Sequence, residues 1–114
     1  MALAGERCVP CEQGTPPLPD SEARQLLAEL GGNWQLTDEG KAIALEAKFK
    51  DFLSAIAFVN RLAPIAEAEG HHPDFCLYGW NKIRLTLSTH SIGGLSRNDF
   101  IMAAKLTPAI AAAD

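Results

Sequence analysis

Residues 42–59, AIALEAKFKDFLSAIAFV, carry a change of period that decides the fold. Ile43, Leu45, Ala47 and Phe49 alternate with Ala44, Glu46, Lys48 and Lys50, the period of two of a half-buried strand. From Asp51 onward Phe52, Ile56, Val59, Ala63 and Ala66 recur at spacings of three and four. That is the period of an amphipathic helix over roughly 51–68. Pro64 falls inside it, where a proline ring is expected to kink a helix. Gly70 can close the helix in the left-handed conformation, and Pro73 follows, as proline often does after such a cap.

Upstream, Asp20 or Ser21 is placed to cap a first helix with Ala23, Leu26, Leu27 and Leu30 on its apolar face, ended by Gly31-Gly32. Trp34 and Leu36 alternate with Asn33, Gln35 and Thr37 in a short strand, and Asp38-Glu39-Gly40 turns the chain into the next. Downstream, Phe75 and Leu77 open a third strand and Gly79-Trp80-Asn81-Lys82 turns. Ile83, Leu85 and Leu87 then alternate with Arg84, Thr86 and Ser88 in a fourth strand. After Gly93-Gly94, Ser96-Arg97-Asn98-Asp99 fits a capping box opening a last helix, which Thr107-Pro108 should disturb. The order is α-β-β-α-β-β-α. Short turns make each strand pair an antiparallel hairpin. The expected class is α+β, a four-stranded antiparallel sheet with three helices packed on one face. Residues 1–19, with Cys8-Val9-Pro10-Cys11 and prolines at 16, 17 and 19, read as an irregular, partly mobile N-terminal arm before one domain over 20–114.

A chain of 114 residues is one domain. It buries only about 60–70% of the surface its unfolded form exposes, so a homodimer or homotetramer would add core. The net charge of −4 and the lack of a basic run argue against nucleic acid as a partner. No stretch approaches the ~20 apolar residues of a membrane span, and residues 1–7 lack a secretory pattern. A cytoplasmic location and no structural disulfide are therefore expected for the three cysteines. Cys8-x-x-Cys11 could be half a zinc site, but Cys76 stands alone. A zinc site shared between subunits stays open beside the simpler reading of a mobile reduced pair.

The three histidines are not scattered. His71-His72 lies between a helix end and a strand, and His90 lies just past the next strand. A hairpin turning near 79–82 brings residues 72–74 close to 88–90, so all three imidazoles should share one end of the sheet. Glu67, Glu69, Asp74 and Asp99 stand around them. Three readings compete: ordinary loop polars, a metal site, and general acid–base chemistry. Adjacent histidines rarely ligate one ion together, and no helical His-x-x-x-His pair exists; no metal is expected. A histidine titrates near neutrality, so a pair can hold one proton and lack another. Asp99 could serve its capping box or support catalysis. Glu67, in a last helical turn where the dipole disfavours a carboxylate, could orient His71. Trp80 could plug the hairpin end or stack on substrate. Trp34 could be core or pocket wall.

The spacing has a known counterpart. Glu67 stands four before His71, His71-His72-Pro73 follow, and then come Trp80, His90 and Asp99. With Phe49-Lys50-Asp51-Phe52, Ser88-Thr89-His90 and Gly93-Gly94-Leu95-Ser96, this resembles the pterin-4a-carbinolamine dehydratases over roughly residues 16–106. The resemblance implies that His71, His72 and His90 are catalytic and that Gly70, Ser88, Thr89 and Ser91 contact a pterin substrate. Glu67 and Asp99 complete the expected substrate-binding set. Animal members of the family carry an aspartate where this chain has Gly70, and the hairpin between His72 and His90 is one residue longer than in many members.

The function so implied is removal of water from a 4a-hydroxytetrahydropterin to give quinonoid dihydropterin, with no cofactor, in the recycling of tetrahydrobiopterin or a related pterin. His71 and His90 are the expected proton-transfer pair, with His72 orienting or binding. The alternative is a family member with little or no activity that acts as an assembly factor for ribulose bisphosphate carboxylase (RuBisCO). The Cys-Val-Pro-Cys arm and Gly79-Trp80-Asn81 resemble the plant and autotroph-type branch that includes such factors.

Overall fold

A computed structural model of the chain describes residues 3–9 and 16–113. The elements are α1 (Asp20–Leu30), β1 (Gln35–Thr37), β2 (Ala42–Lys48), α2 (Phe52–Glu69), β3 (Asp74–Tyr78), β4 (Lys82–Leu87) and α3 (Arg97–Ala113). Short 3-10 turns lie at Leu3–Gly5, Asp38–Gly40 and His90–Ile92. The strands form one antiparallel sheet in the order β1-β2-β4-β3. This is the α+β arrangement and element order expected. Among the described residues no helix is long and apolar enough to cross a membrane.

Register explains which face is buried. Leu36 pairs with Ile43 and Ile43 with Leu87; Leu85 lies between Leu45 and Phe75; Ile83 lies between Ala47 and Leu77. Directly opposed residues share a face, so these rows make one apolar surface. Ala23 and Leu26 of α1, Ala55, Phe58, Leu62 and Ala66 of α2, and Phe100, Ala103 and Leu106 of α3 close over it. Each fully buried large apolar side chain contributes about 1.5–3 kcal/mol. The other face carries Glu46 opposite Arg84, and Lys48 opposite Lys82. Tyr78 donates its hydroxyl proton to Glu46.

Four local expectations need correction. Pro19, not Asp20 or Ser21, occupies the cap of α1, and it offers no side-chain bond. Asp20 is the first helical residue and accepts from Arg24 Nε at 2.7 Å. In α2 the core stripe is Ala55, Phe58, Leu62 and Ala66, while Phe52 is 50% exposed. The helix is apolar on more than one face, so its period alone does not choose the buried stripe. Phe49 does, through stacking of its ring on Phe58 with centroids 5.5 Å apart. Both α2 and α3 continue unbroken past their prolines. Pro64 frees only the carbonyl of Asn60, an exposed residue within reach of water. Beside Pro108, Thr107 Oγ1 donates to the Ala103 carbonyl at 2.7 Å and accepts from Trp34 Nε1 at 3.0 Å.

Residues 3–9 of the arm pack against the domain. Leu3 is 2% exposed within the core. Further along, Leu18 N–H donates to the Leu95 carbonyl at 2.9 Å. Pro17 lies so near Gly94 that an added Cβ would sit 2.9 Å from the proline ring, which glycine alone avoids. Cys11 lies outside the described residues, so the Cys8-x-x-Cys11 reading is not addressed.

Candidate active site

Two chain reversals build the site. At the end of α2, Gly70 adopts φ 65° and ψ 27°, and its N–H reaches the carbonyls of Ala66 and Glu67. This left-handed closure costs glycine little and delivers His71 and His72 to the sheet end before β3 begins. After β4, the Thr89 N–H donates to the Gly94 carbonyl at 2.8 Å, pinching off a tight loop that carries His90 and Ser91. The hairpin register then brings the two reversals together, as the spacing of the histidines predicts.

His71, His72 and His90 line one open cavity of about 420 Å³, with Gly70, Ser88, Thr89 and Ser91. Glu67 and Asp99 stand behind this lining and each holds a histidine. Asp99 Oδ1 lies 2.6 Å from His71 Nε2. Glu67 Oε1 lies 2.6 Å from His72 Nε2. The expectation that Glu67 orients His71 is therefore corrected. One turn of helix separates Glu67 from Gly70, and the left-handed cap turns His71 inward while His72 stays at the surface beside α2.

Asp99 is fully buried. Its Oδ2 accepts from the Thr89 hydroxyl and from the Ser96 N–H, both at 2.9 Å. The Thr89 and Ser96 hydroxyls are themselves 2.7 Å apart. Asp99 Oδ2 thus serves the capping box while Oδ1 holds His71. His72 and Glu67 form the exposed counterpart. His90 is exposed on its loop.

Sequence reasoning missed Val9 and Asn98, which line the same cavity with Glu69. Val9 N–H donates to Asn98 Oδ1 at 3.0 Å, and Asn98 Nδ2 donates back to the Val9 carbonyl. Eighty-nine residues separate them, so no local pattern could connect them. Cys8 N–H donates to Glu69 Oε1 at 2.8 Å. That bond, aided by Lys105 and Arg7, holds the Glu69 carboxyl below its ordinary range. Burial, and then the negative Glu69, push the Cys8 thiol up to about 11. Trp34 is core, and Trp80 sits exposed at the hairpin tip; neither lines the cavity. Among the described residues no group of three or more His, Cys, Asp or Glu side chains is placed to hold a metal ion.

Comparison with known proteins agrees with this architecture. The family described as pterin 4 alpha carbinolamine dehydratase matches residues 16–109. A protein of Nitrosomonas eutropha named "Putative pterin-4-alpha-carbinolamine dehydratase" is 47% identical over 104 residues, 91% of this chain and 89% of that one. One of Alkaliphilus metalliredigens with the same name is 42% identical, over 91% of this chain and 92% of its own. A crystal structure described as a transcriptional coactivator/pterin dehydratase from Brucella melitensis is 37% identical, with a TM-score of 0.76, over 82% of this chain and 98% of that one. A pterin dehydratase-like protein described as a RuBisCO assembly factor in the alpha-carboxysome shares the fold. It does so at 18% identity and a TM-score of 0.60, over 71% of this chain and 93% of its own. With the family matched over residues 16–109 and relatives 42% and 47% identical over 91% of the chain, this chain belongs to the pterin-4a-carbinolamine dehydratase family.

Proposed function

We propose that this chain dehydrates a 4a-hydroxytetrahydropterin to the quinonoid dihydropterin. The observation that carries the reading is the convergence of three histidines on one cavity, with His71 backed by a buried carboxylate. A cavity of about 420 Å³ suits a bicyclic ring. The reaction removes a proton from N5 and the hydroxyl from C4a, forms the C4a=N5 double bond and releases water. His71 is the base at N5. Its Nε2–H donates to Asp99, which leaves Nδ1 to accept a proton, and the carboxylate stabilises the imidazolium that forms. His90, on the opposite loop, is the acid at the departing hydroxyl. His72, held by Glu67, orients the ring, while Gly70, Ser88, Thr89 and Ser91 complete its contacts. No metal or organic cofactor takes part, because two imidazoles exchange the protons the reaction needs.

The same reading makes the protein a cytoplasmic homo-oligomer, a dimer at least, acting in pterin recycling with tetrahydrobiopterin as the natural parent of its substrate. The test is stopped-flow dehydration of freshly generated 4a-hydroxytetrahydropterin. A rate well above the spontaneous one is expected. A rate equal to the spontaneous one overturns the enzyme and leaves the assembly of ribulose bisphosphate carboxylase as the function to examine.

A further inference from the structure

The N-terminal strap reaches the cavity through a series of specific bonds. Glu6 takes Arg97 at two points, 2.7 and 2.6 Å, and Lys105 Nζ donates to the Ala4 carbonyl at 2.8 Å. Cys8 is tied to Glu69, and Val9 is clamped on both its N–H and its carbonyl by the side chain of Asn98, a residue only 5% exposed. The anchors interleave with the histidine supports. On α3, Arg97 and Asn98 hold the strap and the next residue, Asp99, holds His71. On α2, Glu67 holds His72 and Glu69 holds Cys8. One rigid frame therefore positions both the imidazoles and residue 9.

What the frame presents is unlike its surroundings. Among the described residues that line the cavity, Val9 is the one aliphatic side chain larger than alanine, and it is 64% exposed. A buried asparagine fixing both backbone groups of an exposed valine beside the histidine cavity gains little for the fold. It does give an apolar wall a fixed place beside the histidines.

We propose that Val9 is a substrate-contacting, specificity-determining residue, the apolar wall against which the pterin and its C6 substituent pack. This rests on the dehydratase reading above. The side chain carries no proton and so leaves the chemical step to the histidines. Its contribution is to binding, and it depends on the size of the substituent.

The test is steady-state kinetics of Val9→Ala and Val9→Trp with two 4a-hydroxytetrahydropterins, one bearing a methyl group at C6 and one a three-carbon side chain. Circular dichroism monitors folding. Val9→Ala is expected to raise KM by about tenfold with kcat unchanged, the scale of one or two methyl contacts. Val9→Trp is expected to raise KM for the three-carbon substrate at least about tenfold more than for the methyl one. Unchanged KM for both substrates in both variants, or a fall in kcat at constant KM, would overturn the inference while the dehydratase reading stands. A wild type no faster than the spontaneous reaction would overturn both.

Discussion

The fully buried Asp99 carboxylate divides its two oxygens between His71 and the helix cap: Oδ1 lies 2.6 Å from His71 Nε2, while Oδ2 accepts from Thr89 and the Ser96 amide. An amide cannot serve all three partners. With its nitrogen toward Ser96, Asp99→Asn would set donor against donor. With its nitrogen toward His71, it would force the other imidazole tautomer. The substitution is expected to lower stability by about 1–3 kcal/mol, the cost of a buried unpaired donor. It should also cut kcat by about 10²-fold or more through the wrong tautomer. Urea unfolding and stopped-flow rates check the two effects separately. A stable variant with full kcat would show that Asp99 serves the cap alone.

The histidines should not respond alike. His71→Ala and His90→Ala each remove a proposed proton-transfer partner and should lower kcat by about 10²–10⁴-fold. The double variant should lose less than the product of the singles, because groups acting as a unit are not additive. His72→Ala and Glu67→Gln should chiefly raise KM. Equal kcat losses at all three histidines would refute the division of roles.

Assembly is expected through β3. It is an edge strand, and it exposes Phe75 and Tyr78. An open, apolar edge invites pairing with another strand. The wild type should scatter light as a dimer or larger at micromolar concentration. Phe75→Lys should shift it toward monomer with its circular dichroism retained. A monomeric wild type would refute this.

Acid should release the strap. Glu6 and Glu69 are both held below their ordinary range, by Arg97 and by the Cys8 amide respectively. Below the ordinary carboxylate range the unfolded chain binds protons that the native chain refuses. The strap's stabilisation is therefore present above about pH 4.5 and is lost as pH falls through the depressed values. The protection factor of the Cys8 amide, with the intrinsic pH dependence of exchange divided out, should fall as acid titrates the depressed carboxyls. Protection that stays constant throughout an acid titration in which the fold is retained would count against it.

The Cys8 thiol should be slow to alkylate. Its pKa of about 11 leaves little thiolate at pH 8, whereas Cys76 is exposed on β3. Iodoacetamide labelling read by peptide mass spectrometry should modify Cys76 first, with Cys8 gaining reactivity only as pH approaches 11. Faster labelling of Cys8 at pH 8 would contradict the raised pKa of this half-buried thiol.

Periodicity determined the order of elements and the two hairpins, because a strand or helix repeats its environment every two or 3.6 residues and the sequence records that repeat locally. Spacing determined that the histidines meet, because a hairpin of known turn position leaves its ends only one place to go. Tertiary structure alone decided which stripe of α2 is buried, since both stripes are apolar and the buried one is that which meets Phe49 and the rest of the core. It alone assigned Asp99 to His71 and Glu67 to His72, because the left-handed turn at Gly70 rotates neighbouring side chains to opposite sides. And it alone brought Val9 to Asn98, a pairing across 89 residues that rests on the docking of the strap over α3 and on no pattern along the chain.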